Sequence, residues 1–273
     1  MTDLHIHTKF SFDGREEIEN YIQHAIKIGD KRIGFSEHAE IKSFCEEERV
    51  RAINEVKETY AKVKPIIEKY QDKIEILHGV EFGFSKSSQS IFKEMADSVP
   101  FDYIINSVHN LDGDEDYYYG KPFKHKETYG NREKCEVYTE YLNYILDSVK
   151  ADYDYQIVGH IGYASRYAPY EDRNIYVKDF EEIYTEIFKY MIENGKALEL
   201  NSSVKNLDQQ QLPRRDVIEK YIALGGKMFT FGSDAHDLIR LHESQDAVKK
   251  LLLSYGIKEI YYFKNRRPIA EKL

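Results

Sequence analysis

Ten histidines are spread along the 273 residues, and six of them, His5, His7, His38, His109, His160 and His236, stand where metal chemistry would want them. His5 and His7 lie in Asp3-Leu4-His5-Ile6-His7-Thr8. On an extended strand alternate side chains point the same way, so Asp3, His5 and His7 share one face and Leu4 and Ile6 take the other. Two imidazoles held in this way could grip one ion. Asp13 follows in the turn Phe10-Ser11-Phe12-Asp13-Gly14, Glu81 closes Gly79-Val80-Glu81, and Asp234 and His236 share Ser233-Asp234-Ala235-His236. Each has a plainer use when taken singly: a strand-end histidine commonly hydrogen-bonds or packs, and Asp234 could cap a helix. Together the nine nitrogen and oxygen donors suit imidazole-binding ions such as zinc, manganese or iron. His24, His78, His125 and His242 call for no special role.

Alternating strands and helices must position these residues. Residues 1–10 read as the first strand, and later strands are expected at 32–36, 74–81, 103–109, 156–160, 197–201 and 227–232. Apolar residues recur at helical spacing in 15–28, where Gly29 suits a cap, and helices are also expected at 46–70, 88–97, 133–149, 177–194, 214–224 and 243–255. Pro65 is expected to kink or divide the second of these. A strand-like piece at 259–263 ends the chain, and 110–130, rich in Asp, Tyr, Lys and Gly, reads as a long loop of the kind that binds or covers. Such alternation calls for a parallel sheet with helical crossovers. Seven units without a Gly-rich nucleotide loop suit a closed or nearly closed barrel, with no linker to divide residues 1–273. In a parallel barrel the C-terminal strand ends share one face, and the nine donors fall at or just after such ends.

The formal charge of −9 and pI of about 5.6 argue against broad contact with nucleic acid or an anionic membrane. No basic stripe with interleaved aromatics suggests a nuclease. Cys45 and Cys135 make no CxxC pair or secreted disulfide framework and read as thiols in a reducing compartment. With no signal-like apolar start and no apolar run long enough to span a bilayer, a cytoplasmic protein is expected. Oligomeric state is left open.

The motifs resemble the PHP (polymerase and histidinol phosphatase) superfamily across nearly the whole chain. The resemblance rests on Asp3-Leu4-His5-Ile6-His7-Thr8, Asp13, Phe35-Ser36-Glu37-His38, Gly79-Val80-Glu81, Ser107-Val108-His109, Gly159-His160 and Gly232-Ser233-Asp234-Ala235-His236. Within it the chain looks most like the stand-alone histidinol-phosphate phosphatases, through Ser-Val-His before an acidic, aromatic loop, Gly-His with a downstream arginine, and overall length. That likeness implies a distorted seven-stranded (β/α)7 TIM-like barrel with three divalent or trivalent metal ions. It places His5, His7, Glu81 and Asp234 on one ion, Glu81, His109 and His160 on another, and Asp13, His38 and His236 on the third. It also implies hydrolysis of L-histidinol phosphate to L-histidinol and phosphate by a metal-bound hydroxide attacking in line. Asp234, His236 and metal-bound water are the candidates for protonating the leaving group, and Asp3 is expected to orient an imidazole instead of binding an ion.

Phosphate recognition calls for arginine, whose fork matches phosphate oxygens. Arg166, six residues after His160, matches an arginine of the family; Arg214 and Arg215 are weaker candidates that could simply begin a surface helix, and Lys205 is a further one. Two departures separate the chain from the family pattern: Gly162 stands where Asp is frequent, and Asn201-Ser202-Ser203-Val204-Lys205-Asn206 replaces Asn-Thr-Ser-Gly. Two other readings stay open: a PHP phosphoesterase for a different small phosphate or nucleotide, and a non-catalytic metal-binding module.

Overall fold

The computed structural model describes residues 1–41, 44–111, 132–166, 168–203 and 212–273. Six strands form one parallel sheet in chain order: β1 (Arg32–Glu40), β2 (Glu75–Gly83), β3 (Tyr103–Ser107), β4 (Ile157–Val158), β5 (Ala197–Asn201) and β6 (Phe229–Gly232). Among the described residues the helices are α1 (Ile18–Ile28), α2 (Glu46–Tyr70), α3 (Gln89–Ser98), α4 (Lys134–Val149), α5 (Glu181–Glu193), α6 (Arg215–Ala223) and α7 (Gln245–Ser254). Helices α2 to α6 are the crossovers that parallel neighbours require. The apolar spacing that called for α1 is the buried set Ile18, Tyr21, Ile22 and Ala25, and Gly29 ends the helix at φ 85°, a conformation open to glycine. Pro65 lies inside α2, which runs on as one helix.

Residues 1–10 depart from the expected regular strand. They make isolated parallel bridges, Asp3 with Phe231 and Ile6 with Ala235. Three steps along one segment therefore face four along the other, and this one-residue mismatch interrupts the ladder as a bulge does. The same short segment is bonded at both edges of the sheet. Leu4 N donates to Phe231 O at 3.0 Å and Asp234 N to His5 O at 2.8 Å, while Gly34 N donates to Asp3 O at 2.9 Å and Ser36 N to Ile6 O at 3.0 Å. With strands spaced about 4.8 Å apart, only a curled sheet brings its first and last strands within reach of one segment.

The final strand-like piece is the first arm of an antiparallel hairpin, β7 (Glu259–Lys264) with β8 (Arg267–Lys272), outside the parallel sheet. Tyr262 and Phe263 enter an apolar cluster with Leu4, Leu77, Tyr103, Ile105, Ile157 and Ala197. Lys264 Nζ pairs with Glu75 at 2.6 Å, and Asn265 N donates to Asp102 Oδ1 at 3.0 Å. Glu75 begins β2 and Asp102 precedes β3, so the hairpin covers the N-terminal ends of the strands and leaves the opposite ends open. Trp is absent from the 273 residues and Tyr numbers 23, so tyrosine supplies much of the aromatic bulk of the core. Its hydroxyls find partners: Tyr103 donates to Leu4 O and Tyr153 to Asn106 Oδ1, both at 2.7 Å.

Candidate metal centre

Strand alternation carries the inner apolar face into polar residues near the open end. Leu77 on β2, Ile105 on β3 and Ala197 on β5 belong to the inner cluster, and further along the same faces lie Glu81, Ser107 and Glu199. Glu81 is fully buried and is the hub. Its Oε1 lies 2.9 Å from His160 Nε2 and 3.2 Å from His109 Nε2. Its Oε2 lies 2.9 Å from His38 Nδ1, 3.2 Å from His5 Nε2 and 3.5 Å from His7 Nε2. The Ser107 hydroxyl donates to Oε1 at 2.6 Å and holds the carboxylate in place.

The other ligand candidates join from two loops. Asp234, in the left-handed region at φ 54°, sits in the mismatch opposite the N-terminal segment and turns its Oδ1 to 3.4 Å from His7 Nε2. Asp13 reaches His236 Nε2 at 2.8 Å and His38 Nε2 at 3.6 Å. All nine side chains expected from the sequence thus meet in one place. Three sets of ligand atoms lie within 4.8 Å of one another: His5, His7 and Glu81; His7, His38 and His236; His38, Glu81 and His109.

These residues fit metal ions. Nε2 of His5, His7 and His236, Nδ1 of His38, Oε2 of Glu81 and both carboxylate oxygens of Asp13 are buried and make no hydrogen bond among the described residues. Such groups are costly when left unsatisfied, and here they converge on shared points where a cation would meet them all. The far side of three of these rings is already engaged. His5 Nδ1 meets Glu199 Oε1 at 2.5 Å, His109 Nδ1 meets Glu40 Oε1 at 2.7 Å, and His236 Nδ1 meets Asp234 O at 2.9 Å. Each of those contacts favours a proton on Nδ1 and leaves Nε2 bare for a metal.

The electrostatics also call for added positive charge. Burial opposes charge on His5 and His109, yet Glu199 and Glu81 in the first case, and Glu81 and Glu40 in the second, hold both imidazoles well above their ordinary range. Against the same burial, Glu81 and Asp13 push His38 up to about 10. His7 goes the other way, lowered first by burial and then by His38 and His236. Burial would raise the Glu81 and Asp234 carboxyls, but the surrounding imidazoles keep both well below the usual carboxylate range. The carboxylates thus favour positive charge at this cluster, which bound metal ions would supply.

Above the cluster opens a cavity of about 240 Å³, lined by ligand residues together with Arg15, Tyr163, Arg166, Ser203, Asp237 and Arg240. Arg166 lines this cavity: Nη1 lies 4.0 Å from Asp234 Oδ2, and Nη2 donates to Ser203 Oγ and O. Arg215 is the exposed first residue of α6 and is not among the described residues that line the cavity. Arg214 is also turned to other work, donating to Asn174 Oδ1 at 2.6 Å and lying over the Tyr176 ring. Lys205 lies outside the described residues, as does 112–131, most of the expected 110–130 loop. Asp3 orients an imidazole, but that of His242, at 3.1 Å.

Sequence reasoning missed Glu40, Glu199, Arg15 and Arg240. Glu199 did leave a signal, a charge inside the apolar run Ala197-Leu198-Glu199-Leu200, and Glu40 shares the strand alternation of His38. Arg15 and Arg240 left none, being ordinary loop charges in the sequence. Two motif glycines have a packing reason. A Cβ on Gly159 would stand 2.1 Å from Ser107 Oγ, and one on Gly232 would stand 2.3 Å from Glu199 Oε1 and 2.6 Å from His5 Cβ.

The chain is similar to known proteins over most of its length. The PHP domain family model matches residues 3–203. The histidinol-phosphatase of Lactococcus lactis is 31% identical over 279 residues, covering 98% of each chain. A crystal structure of histidinol phosphate phosphatase from Lactococcus lactis, complexed with zinc, L-histidinol and phosphate, superposes with a TM-score of 0.77 at 29% identity, covering 98% of both chains. The putative histidinol phosphatase of Listeria monocytogenes shares the fold, with a TM-score of 0.71 at 19% identity over 90% of this chain and 99% of that one. With nearly three quarters of its length matched by the family model, the chain belongs to the PHP domain family.

Proposed function

We propose that this protein is a metal-dependent phosphomonoesterase that hydrolyses L-histidinol phosphate to L-histidinol and phosphate. The observation that carries the proposal is the convergence of nine buried or half-buried candidate ligand side chains, several of them with buried atoms that make no hydrogen bond among the described residues, beneath a cavity that also holds Arg166. The substrate assignment is supported by full-length similarity to the Lactococcus lactis histidinol-phosphatase. We read the site as trinuclear, for zinc, manganese or iron. His5, His7, Glu81 and Asp234 would hold one ion, Glu81, His109 and His160 a second, and Asp13, His38 and His236 a third. Residues 1–273 are read as one PHP-type domain, with Asp3–His7 as the seventh, irregular stave of a distorted (β/α)7 barrel; its bonds to both sheet edges support this.

Ions held there would gather phosphate oxygens and acidify an attacking water. The chain's own residues do the rest. Glu81, steadied by Ser107, bridges two of the ligand groups and fixes their spacing. Arg166 offers its fork to the phosphate oxygens that face away from the histidines, and Arg15 and Arg240 take the supporting place once expected of Arg215. Of the two candidate side chains, His236, with 23% of its side chain exposed and its imidazole, against burial, raised by Asp13 and Asp234, would pass a proton to the leaving alkoxide, whereas Asp234, held well below the usual carboxylate range, carries none to give.

The test is steady-state phosphate release by the zinc- or manganese-loaded protein. Turnover of histidinol phosphate is expected; turnover of other monoesters without it would reject the substrate and keep the reaction class. His109→Ala is expected to lose metal and activity together, and full activity in that variant would overturn the ligand assignment.

A further inference from the structure

Ser11 and Glu37 are buried beside the metal floor without being ligands. Three groups meet at the Ser11 hydroxyl. Its oxygen is 2.6 Å from Glu37 Oε2, 3.0 Å from the backbone nitrogen of His38 and 3.3 Å from Nδ1 of His7. A hydroxyl has one proton and two lone pairs, so three partners use it completely. The His38 N–H can only donate and fills one lone pair. Glu37 Oε2 already receives the Thr8 N–H at 3.0 Å, while Oε1 receives the Thr8 hydroxyl at 2.7 Å. As a carboxylate Glu37 can only accept, and the Ser11 proton goes to Oε2. Only a lone pair is left for His7, so His7 Nδ1 must carry its hydrogen, and in the neutral ring Nε2 is then bare.

We propose that Ser11, oriented by Glu37, is the positioning residue that holds His7 in its Nδ1-protonated form and so presents Nε2 to the ions. The proposal rests on the reading of His7 as a ligand. A free neutral histidine side chain favours the opposite form, with hydrogen on Nε2, so the choice has to be imposed. His5 and His109 have it imposed by carboxylates and His236 by a carbonyl, groups that only accept. A serine hydroxyl is ambivalent by itself, which is why Glu37 is needed to take its proton. The stakes are high at this ring: His7 belongs to two of the three sets of clustered ligand atoms, and its buried Nε2 has no hydrogen-bond partner among the described residues.

The experiment is a long-range proton–nitrogen correlation spectrum of the histidine rings in the ¹⁵N-labelled full-length protein, zinc-loaded and then metal-stripped, with His7 assigned by its loss in His7→Gln. The Nδ1–H pattern is expected in both states, because Ser11 and not the ion selects it. Ser11→Ala is expected to move the metal-stripped protein to the Nε2–H pattern and to weaken zinc binding about 10- to 100-fold. Glu37→Gln, whose amide oxygen can still accept the Ser11 proton, is expected to keep the Nδ1–H pattern. An Nε2–H His7 in the metal-stripped wild type overturns the proposal whatever the variants do, as does a folded Ser11→Ala protein with unchanged tautomer and zinc affinity. A wild type that shows the Nδ1–H pattern but takes up no zinc supports the hydrogen-bond assignment and rejects the metal reading instead.

Discussion

Oε1 of Glu199 lies 2.5 Å from Nδ1 of His5, and neither side chain reaches solvent. Oε2 of the same carboxylate accepts the backbone N–H of His160 at 2.7 Å. One residue on β5 therefore fixes ligands from the N-terminal segment and from the end of β4. Glu199→Ala is expected to lower zinc affinity about 10- to 100-fold. Competition against a chromogenic chelator measures this, and wild-type affinity in the variant would show that His5 needs no such partner.

Arg166 and Arg215 make opposite predictions. Hydrogen bonds to charged groups are worth about 1.5–3 kcal/mol, so Arg166→Ala should lower kcat/KM by about 10- to 100-fold and weaken inhibition by inorganic phosphate. Arg215→Ala, on the outer end of α6, should stay within about twofold of the wild type. Kinetics on the two variants side by side decide the matter, and a silent Arg166→Ala would remove this residue from phosphate binding.

Gly159→Ala tests packing next to Glu81. The new methyl would stand 2.1 Å from Ser107 Oγ, the donor that holds Glu81 at 2.6 Å. Overpacking of this kind costs about 1–3 kcal/mol. The expected result is a lower melting temperature together with weaker metal binding. A variant that melts and binds metal like the wild type would mean that Ser107 can move without disturbing Glu81.

His242 gives stability a pH dependence. Its Nε2 lies 2.6 Å from Asp30 and its Nδ1 3.1 Å from Asp3. Burial works against charge on the ring, but the two carboxylates outweigh it and push the imidazole up to about 9 from 6.5. A raised folded-state value means that the protonated form favours folding. The contribution, about 3 kcal/mol, is full below pH 6.5 and is lost as pH rises through about 9. Chemical denaturation across that window should show the wild type losing stability that His242→Gln never had. Parallel curves for the two proteins would refute the assignment.

The sequence by itself determined the donor set and the parallel alternation. Histidines and carboxylates recur at or just after successive strand ends, and a parallel α/β chain brings such ends to one face. That is why all nine candidate donors could be named from the sequence, and the structure brings their side chains together. Tertiary structure decided how they are held. The expected first strand became a bridged segment because the Ser233–Asp234 mismatch breaks its register, and nothing local in residues 1–10 encodes that partner. Glu199 and Glu40 acquire their roles only when β5 meets His5 and β1 meets His109, contacts 194 and 69 residues apart in sequence. Arg15, Arg166 and Arg240 line one cavity, whereas Arg215 falls on the outside; spacing does not record which way a helix or loop faces until the sheet has curled. Composition fixes which donors exist, while distance and direction between them are set by packing.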